Sequence, residues 1–294
     1  MYGRKKKLIC IGGPTASGKT ALSLQLAKIH QTEIISVDSR QLYKEMNIGT
    51  AKPTALELST VPHHFINHIS IQEHYDIGIF EKQAIELLEE KFKTYDILIA
   101  VGGSGLYFKS LLEGIDYFPE ISQHIQQMVK LSYQNHGLSF LQKMLQKADP
   151  EYYEMVDKNN PVRLIRALCI CEETGQPYSA FRKGNKANRF FEAQCYYLNP
   201  ERTFLYEKIN QRVDQMIKDG LIEEVFELQS FKHLKALQTV GYTELFKYFT
   251  NEYDIKEAIL KIKQHSRQYA KRQLTWFNNT ENWKIWEDCD ILKF

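Results

Sequence analysis

The chain has 294 residues, 43% of them hydrophobic and 25% charged, with a formal net charge of +2. This is ordinary globular composition, which excludes wholesale disorder, and no apolar run approaches the roughly 20 residues needed to cross a bilayer. So small a net charge does not by itself announce a nucleic-acid binder, and the placement of the basic residues has to carry that question. Five cysteines at irregular spacing are not a disulfide framework. With a start, "MYGRKKKLICIGG", that turns into a strand and a glycine loop without a cleavage site, they predict a cytoplasmic protein with no membrane partner.

In chain order, the apolar run "LICI" is followed by "GPTASGKT", Gly13 to Thr20, a complete G-x-x-x-x-G-K-T. Gly13 and Gly18 let the loop through Pro14, Thr15, Ala16 and Ser17 wrap with its N–H groups inward, and the next helix aims its positive end at the same point. Lys19 adds a full charge for terminal phosphates, and Thr20 offers a hydroxyl ligand to a magnesium ion bridging them. A helix is expected from Lys19 to His30, then a strand "EIISV" that closes on Asp38, a helix from Ile77 to Phe92, and a third strand "ILIAV". These uninterrupted apolar strands predict a parallel sheet covered by helices on both faces, an α/β core like that of P-loop NTPases. A P-loop kinase usually shows an acid after the neighbouring strand, but here "ILIAV" runs into "GGSGLYFK", with Ser104 in that place. Asp38, at the carboxyl edge of the sheet, is the carboxylate available, as a general base or as a magnesium ligand.

From about Pro119 only helical patterns occur, "EISQHIQQMVKLSY", "LSFLQKMLQKA" and "NPVRLIRALCICEETG", until a strand-like "AQCYYLN" at Ala193. The domain reading is therefore a core over 1–117, an inserted all-helical domain over 118–190, and a return to the core with a basic helical C-terminal region over 191–294. Cys169 and Cys171, two apart on a helix, are expected on different faces. "ERTFLYEKINQRVDQMIKDG" ends on Gly220, a helix-stopping residue. In the last helix Lys263, Arg267 and Lys271 lie four apart, a cationic stripe for RNA or simply a solvated face. His63, His64, His68 and His74 cluster as zinc ligands do but lack accompanying cysteines. Trp276 and Phe277 are candidates for base stacking or for the core.

"GPTASGKT", "DSRQLYKEMNIGTAKP", "PHHFI", "GGSGLYFKSLLEG", "NPVRLIRAL", "VGYTELF" and "KRQLTWF" occur in the order and approximate spacing seen in tRNA dimethylallyltransferases, also called tRNA isopentenyltransferases, and the chain resembles that family over nearly its whole length. The resemblance implies transfer of a dimethylallyl group from dimethylallyl diphosphate to N6 of adenosine at tRNA position 37, beside the anticodon. The P-loop then holds a leaving diphosphate, with magnesium, instead of a nucleotide about to lose its γ-phosphate. The resemblance places Thr15 and Ser104, a residue usually Thr in the family, at the reacting centre with Asp38 and Lys19. Arg202 and Arg212 are expected on the diphosphate, Arg202 foremost. Asp38, Ser39, Arg40, Gln41 and Ser104 are expected against tRNA, together with Val162, Arg163, Leu164, Ile165 and Arg166. Lys271 and Arg272, in the basic helix, are expected to grip the anticodon stem-loop. A monomer is the expected state. Two other functions fit the P-loop and basic helices: an ATP-using small-molecule kinase, and a nucleotide-dependent RNA-binding switch without catalysis.

Overall fold

The computed structural model describes residues 6–184 and 186–287. In chain order the elements are β1 (Lys7–Gly12), α1 (Lys19–His30), β2 (Ile34–Ser36), α2 (Ala55–Thr60), β3 (His63–His64), α3 (Ile77–Lys91), β4 (Ile97–Val101) and α4 (Gly105–Glu113). Three helices follow, α5 (Gln123–Ala148), α6 (Pro150–Met155) and α7 (Pro161–Thr174), then β5 (Glu192–Tyr197), α8 (Arg202–Lys218), α9 (Leu221–Glu227), α10 (Tyr242–Phe249), α11 (Ile255–Asn278) and β6 (Trp283–Ile285). They form two compact units: one runs up to Leu112 and resumes at Asn188, and the other is Glu113–Ala187.

The first unit is built on a six-stranded sheet of order β3-β2-β4-β1-β5-β6, parallel throughout. Its centre is dry on both faces. Leu8 and Cys10 of β1 join the core beneath α3 and α4, while Ile9 and Ile11 point into the core containing Leu26 and Ala27 of α1. A strand sharing its side chains between two cores has no polar face, which is why "LICI" carries no alternation. At the end of β4 the backbone passes so close to β2 that a Cβ on Gly102 would lie 1.9 Å from the Val37 carbonyl oxygen, so only glycine fits there. A second core lies among α8 to α11, with Val213, Leu221, Leu245 and Ile262 at its centre. Gly220, at φ +101°, ends α8 and opens α9.

Sequence patterning does not reveal β3 and β6, edge strands of two and three residues, because alternation needs a longer run. Phe277 is 1% exposed and packs at 4.7 Å from the Trp283 ring, so it belongs to the core.

The second unit is helical throughout its described residues apart from loops. Gly137, at φ +74°, breaks α5 into the two helices that the sequence suggests. Val129, Leu141, Leu145, Leu164 and Leu168 form its core, and Cys169 and Cys171 are both buried as free thiols. Asp149 caps α6 through the Tyr152 N–H and accepts two hydrogen bonds from Ser179, which closes the unit on itself.

Candidate active site

Three adjacent strands, β2, β4 and β1, release their chains at the same carboxyl edge of the sheet, where α/β proteins build sites. After β1 comes the P-loop. Its helix α1 is capped by Gly18 at φ +95° without a side-chain cap, so its first N–H groups face outward for an anion. Ala16 adopts φ +63°, an uncommon choice for a residue with a Cβ. After β2, the Asp38 carboxylate accepts the N–H groups of Arg40 at 2.8 Å and Gln41 at 3.2 Å, both through Oδ1, which folds the "DSRQ" turn around it. After β4, buried Ser104 accepts the Ser39 N–H at 3.0 Å and ties the two turns together.

These loops open onto one cavity of about 360 Å³. Thr15 to Thr20 and Asp38, Arg40 and Gln41 line it. So do Ile209, Arg212, Val213 and Met216 of α8 and Ile262, Ser266, Tyr269 and Gln273 of α11. Both helical sets recur at three- and four-residue intervals, so each helix offers a single stripe. The stripe on α11 runs beside the cationic one that sequence spacing makes visible.

Charge in the cavity is arranged for an anion. Lys19 Nζ donates to the Pro14 carbonyl at 2.5 Å, and burial pushes its ammonium down to about 7, with Asp38 pulling upward and Arg212 downward. Arg212 Nη1 donates to the Thr15 hydroxyl at 3.1 Å, and burial lowers the guanidinium's pKa as well. Such half-desolvated cations gain the most when an anion arrives between them. Burial pushes the Tyr269 phenol up to about 12, with the Asp38 charge adding to the effect.

Thr15, Lys19, Thr20, Asp38 and Arg212 thus share the cavity lining. Gly13 and Pro14 lie buried behind it, holding the loop's shape. Arg202 is elsewhere: it is exposed, its guanidinium rests 5.2 Å from the Tyr206 ring centre, and it does not line the cavity. Arg40 donates to the carbonyls of Lys235 and Ala236, and Gln41 to those of Thr50 and Ala51, so these turn residues also brace the wall. In the cationic stripe Lys263 pairs with Asp214 at 2.6 Å and Arg267 bonds Asn210 at 2.7 Å. Lys271 and Arg272 stay exposed. In α7, Val162, Arg163 and Arg166 are exposed and Ile165 is half-buried, whereas Leu164 is fully buried in the helical core and presents no surface to a partner.

The histidines disperse. His64 bonds Glu33, His68 bonds Gln83, and His74 pairs with Asp76. No group of three or more His, Cys, Asp or Glu capable of holding a metal occurs among the described residues. His63 lines the cavity, its Nδ1 on the Val61 carbonyl and its buried Nε2 without a hydrogen-bond partner among the described residues. Sequence reasoning missed Tyr269 and Gln273 altogether; the signal was the 262, 266, 269, 273 spacing.

The family model described as "IPP transferase" matches residues 41–280. The tRNA dimethylallyltransferase of Christiangramia forsetii is 50% identical over 280 residues, covering 95% of this chain and 93% of that protein. The Flavobacterium psychrophilum tRNA dimethylallyltransferase is 47% identical, covering 96% and 93%. Among solved structures, the full-length tRNA isopentenylpyrophosphate transferase of Bacillus halodurans superposes with a TM-score of 0.71 at 35% identity, covering 98% of this chain and 94% of that one. A eukaryotic dimethylallyltransferase captured acting on tRNA gives 0.77 at 27% identity, with 92% and 70% covered.

Proposed function

The chain belongs to the IPP transferase family and carries the tRNA dimethylallyltransferase activity of its relatives, and from that premise we propose how its residues perform the transfer to N6 of adenosine 37. The observation that carries the reading is the cavity that the P-loop, the Asp38 carboxylate and a set of apolar side chains line together. The P-loop amides, Lys19 and Arg212 receive the diphosphate. Ile209, Val213, Met216, Leu221 and Ile262 give the five-carbon group an apolar wall.

Adenine N6 is a weak nucleophile because its lone pair is delocalised into the ring. Asp38 takes the N6 proton as the N6–C1 bond forms and the C1–O bond breaks, and the departing electron pair stays on the diphosphate. Negative charge then collects where Lys19, Arg212 and the loop N–H groups already point, with no reorganisation needed. Ser104 holds the turn carrying Asp38, and the half-buried Tyr269 lines the same cavity. Magnesium fits this donor set, since a phosphate-bound ion takes one or two protein oxygens and fills its other positions with phosphate and water. Thr20, lining the cavity, would hold it, and when bound the ion neutralises charge on the leaving group.

The target adenine has to leave its stack to be alkylated. Arg163, Arg166, Lys271 and Arg272 are exposed cations suited to the phosphates of an anticodon stem-loop. We assign tRNA gripping to the helical segment over 118–190 and to the C-terminal basic helix, in a cytoplasmic monomer. Among the described residues no helix is long and apolar enough to cross a membrane. Incubation with dimethylallyl diphosphate, magnesium and unmodified tRNA, followed by nucleoside mass spectrometry, tests the reading. Alkylated adenosine is expected; phosphoryl transfer from ATP with no alkyl gain overturns it.

A further inference from the structure

We infer that Gln273 is a positioning residue that fixes the spacing between the diphosphate cradle and the turn carrying Ser104, an inference that rests on the transfer reaction above. Gln273 sits on the cavity-facing stripe of α11 and is 7% exposed. Its Oε1 accepts the Thr15 N–H at 2.9 Å, and its Nε2 donates to the Gly103 carbonyl at 2.9 Å. A backbone N–H only donates and a carbonyl only accepts, so the partners fix which end of the amide is which. One side chain therefore spans the loop after β1 and the loop after β4.

The network around it tightens the constraint. Thr15 is held at its N–H by Gln273 and at its hydroxyl by Arg212. Ser104, next to Gly103, accepts the Ser39 N–H of the turn folded around Asp38. A Cβ on Gly103 would lie 2.2 Å from Gln273 Nε2, so glycine there is what admits the amide. Diphosphate cradle, Gln273, Gly103–Ser104 and Ser39–Asp38 form a continuous chain of contacts from leaving group to base. Carbon transfer between an oxygen and a nitrogen needs both ends held in line, and a displacement of about 1 Å costs on the order of 10²-fold.

The amide needs its donor and its acceptor together. Gln273→Met keeps the shape and removes both, and is expected to lower kcat by about 10²-fold while KM for tRNA and the folded fraction by circular dichroism stay at wild-type values. Gly103→Ala, which displaces the amide, is expected to lower kcat similarly, and the double variant to lose no more than either single one. Gln273→Glu supplies the sharper readout. A protonated carboxyl can both donate and accept, whereas a carboxylate cannot donate to Gly103, so this variant's kcat relative to wild type is expected to rise as pH falls. Wild-type kcat in Gln273→Met, losses that multiply in the double variant, or a flat relative pH profile in Gln273→Glu would each overturn the inference with the transfer reaction intact. Wild-type protein that fails to alkylate tRNA overturns the reaction and this inference with it.

Discussion

The α/β unit and the helical unit use buried polar side chains to different ends. In the α/β unit Ser104 and Gln273 are buried next to the cavity and stitch together loops that also carry Thr15 and Asp38. In the helical unit Asp149, the buried polar side chain there among the described residues, caps α6 and holds Ser179, and so serves the unit's own fold. Arg163 and Arg166 of the helical unit, proposed above to grip tRNA, lie on its surface. Chemistry needs groups held in desolvated, preorganised places, whereas gripping a nucleic-acid backbone needs accessible cations that exchange counter-ions. The difference teaches that substitutions in the two units should separate turnover from binding.

The largest expected effect is in the cavity. Asp38→Asn keeps the turn's hydrogen-bond acceptor and removes the proposed base, so kcat should fall by ~10²–10⁴-fold with tRNA affinity unchanged in a filter-binding assay. Full turnover in that variant would break the comparison at its strongest point. The two arginines sharpen it: Arg212→Ala should cost about 10²-fold in kcat/KM for dimethylallyl diphosphate, and Arg202→Ala, outside the cavity, far less.

Asp149→Ala should destabilise the helical unit by about 1–3 kcal/mol, by loss of a cap and of buried bonds, without changing the turnover of folded protein. Hydrogen exchange resolved by segment checks whether the loss stays within that unit. Lys19 gives a pH signature confined to the cavity. Its free-state pKa is held down to about 7 by burial, and a bound diphosphate raises it. Binding near pH 8 should therefore take up a proton at Lys19, and affinity should fall as pH rises through the range between the free and bound values. Calorimetry in buffers of different ionisation enthalpy, with Lys19→Met as reference, measures that uptake. The smallest effect is expected on the helical surface, where Arg163→Ala with Arg166→Ala should raise KM for tRNA and reduce the salt slope by about 0.7–0.9 per lost phosphate contact, leaving kcat alone.

Much of this was legible in the chain itself. The P-loop spacing, the apolar strands and Asp38 at a strand end are local, and local chemistry dictates them: glycines where backbone must wrap, unbroken apolar runs where helices cover both faces. The family strings named the reaction. "VGYTELF" acquires its physical reason only in three dimensions, where Val240 and Gly241 line the cavity and the fully buried Tyr242 donates its hydroxyl to Glu224 at 2.6 Å.

Which cations reach the site was not legible, because sequence spacing reports a face of a helix and never what the face meets. Arg202 and Arg212 lie on one helix, yet only Arg212 lines the cavity. Leu164 sits within a basic string and is spent on the core. Lys263 and Arg267 look like free cations in sequence and are bound to α8 in space. Gln273 lies 258 residues from Thr15. The sequence by itself determined the P-loop, the sheet and the carboxylate at its edge, since each depends on neighbours in the chain. The tertiary structure alone decided that α8 and α11 close the cavity and that one amide spans two loops, since those contacts exist only once distant segments pack.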